Sequence, residues 1–282
     1  MAVENPLSII GDMSKPVNTL IKKIADAIGV LYEPSRIVRK AKAEAKAQEI
    51  MAISEINVKE IQNRAFNRFV YEETRKQTNI ENIIERTIPQ IQANAQSEKI
   101  EEDWIVKFFE SAKMISDIEM QSLWSRILAG ETNNPGTFSR RTISLVAELD
   151  NKDAILFTNL CKFSFSIGKK ITPVVFDTQE EIYNKQGINF RTLIHLDNAG
   201  LLQFNNLTGF KYKNLQKRIT ISYYTRPINI EFPNVSDNNL DIGRILLSQA
   251  GEELATICGS LPDEEIYYFT IEQWKKKGLI IT

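Results

Sequence analysis

Apolar side chains recur at spacings of three and four residues through about the first 165 residues, which is the pattern of helices with one buried face. The clearest case begins at Ser116, where a capping box with Glu119 predicts a helix start. Gly130 is expected to end this helix. The next helix is predicted to start with Thr137 or Ser139 as its cap. The apolar face of the first of these helices consists of Met120, Leu123, Trp124, Ile127 and Leu128.

A run without proline or glycine extends from Arg36 to about Gln77, which is long for a globular helix and typical of a coiled-coil or hairpin arm. A second capping box, Thr78 with Glu81, predicts that a separate helix follows. Because an apolar stripe is costly to keep in water, we expect the long helix to mediate self-association or to pack within its own chain. The stripe residues that we expect to do so are Ile50, Ile53, Ile61 and Phe69.

Residues 1–35 form a separate N-terminal segment whose apolar stripe predicts an amphipathic helix from Ser14 to Gly29. Between Lys15 and Lys46, eight basic side chains stand against three acidic ones. Two interpretations stay open: the stripe packs on the protein's own bundle, or the segment binds an anionic membrane surface reversibly. The basic side chains that would contact such a surface are Lys22, Lys23, Arg36, Arg39, Lys40 and Lys42.

Beyond Lys170 the spacing changes from helical to alternating, as in half-buried strands. A hairpin is predicted from 201–204, through a turn at Asn205, to a strand after Gly209. Further strands are predicted at 171–176, 219–224, 228–232, 245–247 and 279–281. Helices are predicted at 190–199, 248–257 and 262–277. Helices combined with a β wing resemble a winged-helix module, which is one interpretation of this region.

These patterns predict a mainly α protein in three parts. The parts are the amphipathic segment 1–35, a multi-helix domain with a long helical arm at 36–165, and a C-terminal α+β module, winged-helix in one interpretation, at 166–282.

The net charge of −1 arises from 35 basic and 36 acidic side chains, so no global field draws the chain to nucleic acid. A local basic group lies where the wing would be, and it could contact phosphates. The helix that would enter a DNA groove offers only Arg191 as a basic contact, so we expect any binding to DNA to be weak. A basic hairpin without a nucleic-acid role is the alternative. The group consists of Lys211, Lys213, Lys217 and Arg218.

The cysteine content and the apolar runs bear on location. Cys161 and Cys258 are the only cysteines, and they are expected to be buried, reduced thiols. No apolar run reaches the length of a bilayer span, and the first residues lack the pattern of a secretory signal. We therefore expect a cytoplasmic protein, peripheral at the inner membrane if the N-terminal segment binds lipid.

Candidate catalytic and metal-binding residues are sparse. His195 is the only histidine and is expected to be structural, and no glycine-rich phosphate loop occurs. Adjacent glutamates such as Glu180 and Glu181 point in different directions on a helix and form no acid/base couple by spacing alone. We expect no enzymatic activity, no cofactor and no metal, while an active site assembled from distant residues stays open.

Four phrases within residues 15–165 carry a family resemblance: YEPSRIVRKAKAEAKA at 32–47, EETRKQTNIENI at 72–83, DWIVKFF at 103–109, and LWSRILAGE followed by PGTFSRRT. On these phrases the chain resembles a bacterial family known only as domain of unknown function 2806. The resemblance implies no activity, cofactor or catalytic residue. Some families of this kind occur near phage-defence genes, so a role in antiviral defence is an expectation from the resemblance.

The sequence favours a non-catalytic interaction protein that self-associates through helices and recognises a protein partner through its C-terminal module. Two alternatives stay open: a winged-helix DNA-binding regulator, and a peripheral membrane-surface protein acting through its basic N-terminus. Binding to DNA through phosphates would weaken steeply with salt, whereas assembly through apolar helix seams would not.

Overall fold

The computed structural model describes residues 14–29 and 60–282, and it divides the chain into two compact units, Met1–Ala147 and Glu148–Thr282. The described part of the first unit is helical, and the second combines helices with a small antiparallel sheet. The coarse fold prediction, several helices with a C-terminal α+β part, is therefore confirmed.

Five helices of the first unit lie in the described ranges, with two short 3-10 turns at Ile88–Gln90 and Ser97–Lys99. Aromatic side chains form the centre of the core, where the ring of Phe108 lies 5.1 Å from those of both Trp104 and Trp124. The indole of Trp104 donates to the carbonyl of Phe138 at 2.7 Å. The helices are α1 (Lys15–Ile28), α2 (Glu60–Thr87), α3 (Glu102–Ala112), α4 (Ile118–Asn133) and α5 (Arg140–Ala147).

The helix α2 corrects the prediction of two helices separated at Thr78. The helix runs without interruption from Glu60 to Thr87, and the hydroxyl of Thr78 donates to the carbonyl of Thr74 within the helix instead of capping a new one. A capping-box spacing inside a good helical sequence does not stop the helix when no glycine or proline interrupts it. Residues 36–59 of the predicted arm, with Ile50 and Ile53, lie outside the described residues.

The start of α4 differs by one residue from the prediction. Asp117, and not Ser116, caps the helix, with its carboxylate accepting a hydrogen bond from the amide of Met120 at 2.9 Å. The hydroxyl of Ser116 instead accepts from the side-chain amide of Asn79 at 3.1 Å. Both residue types cap well, so the tertiary partner of Ser116 decides between them.

Gly130 does not end α4, which continues to Asn133. The glycine provides space instead, because a Cβ there would lie 2.7 Å from the ring of Phe138. The buried carboxylate of Glu131 accepts hydrogen bonds from the amides of Gly136 and Phe138 at 2.6 and 2.9 Å. This carboxylate holds the loop that follows against the helix.

The predicted cap at Ser139 is confirmed. Its hydroxyl accepts from the amide of Thr142 at 3.2 Å, and α5 starts at Arg140.

The second unit contains five helices and nine short strands. The helices are α6 (Asn151–Cys161), α7 (Glu181–Lys185), α8 (Phe190–Asn198), α9 (Gln249–Ala255) and α10 (Glu264–Lys276). The strands are β1 (Ser164–Ile167), β2 (Lys170–Pro173), β3 (Leu202–Phe204), β4 (Phe210–Leu215), β5 (Arg218–Tyr223), β6 (Arg226–Glu231), β7 (Asn238–Gly243), β8 (Ile245–Leu247) and β9 (Ile280–Ile281).

The strands form an antiparallel sheet in the order β2-β1-β5-β6-β9 and two separate pairs, β3 with β8 and β4 with β7. The predicted hairpin between 201–204 and the strand after Gly209 is therefore wrong, because each of its strands pairs with a later segment. Gly243 allows the crossing near Val175, since a Cβ there would lie 2.0 Å from the Val175 carbonyl oxygen and the φ of Gly243 is +87°.

The sequence suggested a domain boundary at 165–166, whereas the two units divide at 147–148. The difference is the helix α6, which packs inside the second unit. Leu160 and Cys161 are buried there, and the hydroxyl of Thr158 donates to the carbonyl of Cys258 at 3.2 Å. A helical pattern identifies α6 as a helix but does not say to which core it belongs.

Candidate interaction surfaces

The first eighteen residues of α2, residues 60–77, form a surface that we name the arm. Ile61, Phe69 and Tyr71 on the arm are 65%, 59% and 70% exposed. Further along the same helix, Ile80, Ile83, Ile84 and Thr87 are buried, and α2 packs there on α4.

The exposed Phe69 continues the buried stripe of α2. At 100° per residue, Phe69 and Thr87 share one direction around the helix axis, and Ile80 and Ile83 lie within 40° of it. Ile61 and Ala65 lie toward one edge of the same face. The residues predicted for self-association are thus brought onto one face in the described part, and this face is open to solvent along the arm.

The arm carries its charges in pairs along the helix. Arg64 contacts Glu60 at 3.0 Å, and Arg68 contacts Glu72 at 3.7 Å. A hydrogen bond from Lys76 to Glu73, at 2.6 Å, raises the pKa of that lysine. Exposed pairs of this kind contribute little stability, so their side chains stay available to a partner.

Two of the lysines predicted to contact a membrane surface lie on the helix α1. Lys22 is exposed, whereas the ammonium of Lys23 donates to the carbonyls of Glu98 and Ile100, both at 2.6 Å. The apolar stripe of α1 is buried in the bundle, and its residues are Val17, Leu20, Ile21 and Ile24.

This arrangement gives the apolar face of α1 to the first unit itself, as the first of the two interpretations expected. Binding of an anionic surface by this face stays a prediction that requires α1 to leave the bundle. The other four basic residues, Arg36, Arg39, Lys40 and Lys42, lie outside the described residues.

The exposed face of α8 is a surface that the sequence reasoning missed. The helix starts at an Asn189–Thr192 capping box and buries Leu193 and Leu196. On the flank of the helix next to Leu193, Phe190 is 49% and Ile194 is 39% exposed. Two apolar residues at a spacing of four, which widen the apolar stripe of the two buried leucines, are the signal that could have identified it. Arg191 lies on the same face.

His195 lies beside this face and pairs with Asp153 of α6, with Nε2 and Oδ1 2.6 Å apart. Burial would raise the pKa of the Asp153 carboxyl, but hydrogen bonds from His195 and from the Asp150 amide outweigh it and lower the pKa. The pair joins two helices of the second unit, which fits the structural role predicted for His195.

The predicted basic group lies on β4, on β5 and in the turn between them, and acidic side chains lie near most of it. Lys217 and Arg218 both contact the carboxylate of Glu231, at 3.5 and 3.0 Å, and the hydrogen bond from Arg218 lowers the pKa of this carboxyl. Lys211 stands opposite Asp241 in the β4–β7 register. Among the described residues, Lys213 forms no ion pair. Only a part of the group's charge is thus left for phosphates.

Both cysteines are buried in the second unit and are not joined in a disulfide. Burial and the neighbouring Cys258 raise the pKa of the Cys161 thiol well above its usual value. A thiol in this state is a poor nucleophile.

The open groove between α3 and α5 has both charge signs and no dominant chemistry. Its volume is about 570 Å³, and Asp103, Lys107, Glu110, Arg140 and Arg141 line it. Across residues 14–29 and 60–282, no cluster of three or more His, Cys, Asp or Glu side chains is arranged to hold a metal ion. In the same ranges, no helix combines the length and apolar character of a membrane span.

Comparison with known proteins gives one match. The profile of the family described as "Protein of unknown function (DUF2806)" matches residues 63–271. No curated protein and no solved structure matches the chain significantly. The match starts within the arm and continues through most of the second unit, beyond the phrases that carried the resemblance. The chain therefore belongs to the DUF2806 family of proteins of unknown function.

Proposed function

We propose that this protein acts by association and not by catalysis: copies join through the arm, and the second unit binds a protein partner on the exposed face of α8. The observation that carries the proposal is the exposure of Ile61 and Phe69 on the face that α2 buries further along. Burying an Ile or Phe side chain is worth about 1.5–3 kcal/mol, so a partner helix gains from covering this face. The arm is roughly 27 Å long, enough for a helix pair.

Sedimentation tests the first part of the proposal. Ile61→Lys with Phe69→Lys places two charges on the apolar face and is expected to convert an oligomer into a monomer with an unchanged melting temperature. Asn67→Lys, on the opposite side of the same helix, is the matched control and should retain the oligomer. A wild-type chain that stays monomeric at high concentration would contradict the proposed self-association through the arm.

The exposed face of α8 supports the second part. It offers Phe190 and Ile194, with Arg191 as its only strongly basic residue. Aromatic and aliphatic anchors beside an arginine suit a protein partner better than a phosphate backbone. In line with the family resemblance, we propose that the partner is met in antiviral defence.

Capture of partners from infected and uninfected cells tests this second part. We expect the tagged protein to retain a partner that Phe190→Asp with Ile194→Asp loses. Val235→Asp changes another exposed apolar residue, 81% exposed, and should leave capture intact. Equal capture by all three proteins would show that α8 is not the docking face.

A DNA-binding regulator is the second candidate, and one observation favours it. The helices α7 and α8, separated by a short turn, are followed in the chain by β3. Strand β3 pairs with β8, and the segment between β3 and β8 contains the paired strands β4 and β7. A helix-turn-helix followed by strands and a wing has this order. We propose weak binding without strong sequence preference, because α8 has few groups that could read bases.

A salt titration of duplex binding by the full chain tests the second candidate. If all four basic residues at 211–218 contact phosphates, the log-log salt slope is about −3.6. If Glu231 keeps Lys217 and Arg218 paired, the slope is about −1.8. Tight, sequence-selective binding at moderate salt would promote this candidate over the interaction module.

A further inference from the structure

We infer that Cys161 and Cys258 form a modification site, at which a peroxide converts the two thiols into a disulfide. Cys161 is the last residue of α6, and Cys258 lies nearly a hundred residues further along the chain, in the segment 256–263 between α9 and α10. They are the only cysteines of the chain. A buried side chain contacts about 6–12 others, so two given residues among 282 rarely meet by chance.

Several contacts hold the two cysteines together. The thiol of Cys161 forms a hydrogen bond with the thiol of Cys258. One turn earlier on α6, the hydroxyl of Thr158 donates to the carbonyl of Cys258 at 3.2 Å. Gly259, with a φ of +79°, turns the chain directly after Cys258. The segment 256–263 is therefore fixed against the end of α6 with the two sulfur atoms in contact, as the formation of a disulfide requires.

Tyr224 lies beside this pair. Its hydroxyl is hydrogen-bonded to that of Ser260 at 2.8 Å, and burial together with the two nearby cysteines raises the pKa of the Tyr224 hydroxyl. The φ of Tyr224 is +52°, which is rare for a bulky residue, so its contacts outweigh the strain of its backbone. Shielding of the pair favours a small, uncharged oxidant such as hydrogen peroxide over a bulky disulfide.

The exposure of the two thiols determines the order of the reaction. Cys161 is 1% exposed, whereas Cys258 is 7% exposed. Burial and the contact with Cys258 raise the pKa of the Cys161 thiol, so the Cys258 thiolate attacks the peroxide. The Cys258 sulfur bonds to one oxygen, the O–O bond breaks, and the released hydroxide takes up the proton lost from Cys258 and becomes water. A sulfenic acid then stands at Cys258.

Cys161 completes the reaction. Its sulfur attacks the sulfur of Cys258, the S–O bond breaks, and the hydroxyl leaves with the Cys161 proton as a second water. The two thiols lose two electrons and two protons, and one hydrogen peroxide is reduced to two waters. The disulfide constrains the unfolded chain by closing a loop of about 100 residues, and it stabilises the second unit. A small dithiol reverses the bond by exchange.

Peroxide treatment of the folded full chain tests the site. We expect the loss of both thiols, a disulfide-linked peptide pair within one chain in mass spectrometry, and a melting temperature raised on the order of 10 °C. Dithiothreitol should reverse all three changes. Cys161→Ala and Cys258→Ala are the matched controls, and neither should gain an intrachain disulfide or a higher melting temperature. The comparison of oxidised and reduced wild type needs no substitution, so it holds even when a variant fails to fold.

Dimedone, which traps sulfenic acids, tests the order of attack. During peroxide treatment it should label Cys258 in the Cys161→Ala variant and leave Cys161 almost unlabelled in the Cys258→Ala variant. Labelling of Cys161 alone would overturn this order.

The remaining outcomes overturn the site itself. Thiols that stay reduced in the folded chain but oxidise in urea would show two inert core side chains. A disulfide between chains would exclude the intrachain pair. An oxidised chain that melts at a lower temperature would show that the disulfide strains the second unit instead of stabilising it.

Discussion

The helix α1 and the arm of α2 have the same kind of sequence but differ in the burial of their apolar faces. Both carry an apolar stripe opposed by polar and charged side chains. The stripe of α1 is covered, with Leu20 and Ile24 at most 1% exposed, whereas Ile61 and Phe69 on the arm are more than half exposed. The cover of α1 comes from α3 and the turn at Ser97–Lys99, more than seventy residues further along the chain.

This difference shows what a helical stripe encodes. Periodicity states that a face favours burial, and it does not state which surface covers that face. For α1, the hydroxyl of Ser97 reaches the carbonyl of Pro16 at 2.8 Å and Lys23 ties the helix to two further carbonyls. The described residues of the first unit supply no comparable set of contacts to the arm, so we propose that a second copy does.

The largest expected effect contrasts the two stripes directly. Leu20→Ala removes a fully buried side chain and should lower the free energy of unfolding by about 2–5 kcal/mol. Phe69→Ala in dilute protein should change it by less than about 0.5 kcal/mol. Urea unfolding of the first unit, followed through Trp104 and Trp124, measures both. Equal losses would mean that the arm is packed as α1 is.

The next effect lies where α2 passes from exposed to buried. The buried amide of Asn79 donates to the Lys113 carbonyl at 2.9 Å and accepts from Gln121 at 3.2 Å. Asn79→Ala leaves these groups unpaired and should lower the free energy of unfolding by about 1–3 kcal/mol. The control is Thr78→Ala, one residue earlier on the exposed side, which should have little effect in the same assay.

A smaller effect separates the two lysines of α1. Lys23→Ala removes two hydrogen bonds to carbonyl groups and should lower the free energy of unfolding by about 1 kcal/mol, since the site is only partly buried. Lys22→Ala should be neutral. If α1 instead binds anionic lipid, the two substitutions should reduce the fraction of protein that floats with acidic vesicles by the same amount. The unfolding curves of the two variants should then coincide.

The sequence predicted local structure well where the signal is local. The helices around Trp124 and Phe157, the cap at Ser139 and the strand alternation near Ile221 and Ile228 all follow from spacing and capping. The errors concern long-range competition. Asp117 and not Ser116 caps α4, because the side chain of Asn79 binds the Ser116 hydroxyl. Gly130 lies inside α4, where its missing side chain leaves room for the ring of Phe138.

The candidate surfaces divide in the same way. The apolar face of the arm was predicted through Ile61 and Phe69, and the described residues leave it open. The partial neutralisation of Lys217 and Arg218 was not predicted, because Glu231 stands thirteen residues beyond Arg218 in sequence and reaches it only through the β5–β6 pairing. The exposed apolar residues of α8 were not predicted. The sequence shows that the helix has apolar positions, but it does not show which of them stay exposed to solvent after folding.

By itself, the sequence determined the types of most elements, the helical first part and the α+β second part, and the family phrases. These properties depend on neighbours within a few residues, where spacing, capping and alternation act. Only the tertiary structure decided that α6 belongs with the sheet, that β3 and β4 pair with β8 and β7 and not with each other, and that α1 is covered while the arm is open. Those outcomes depend on which distant surfaces come into contact, and a one-dimensional pattern of polar and apolar residues does not record that choice.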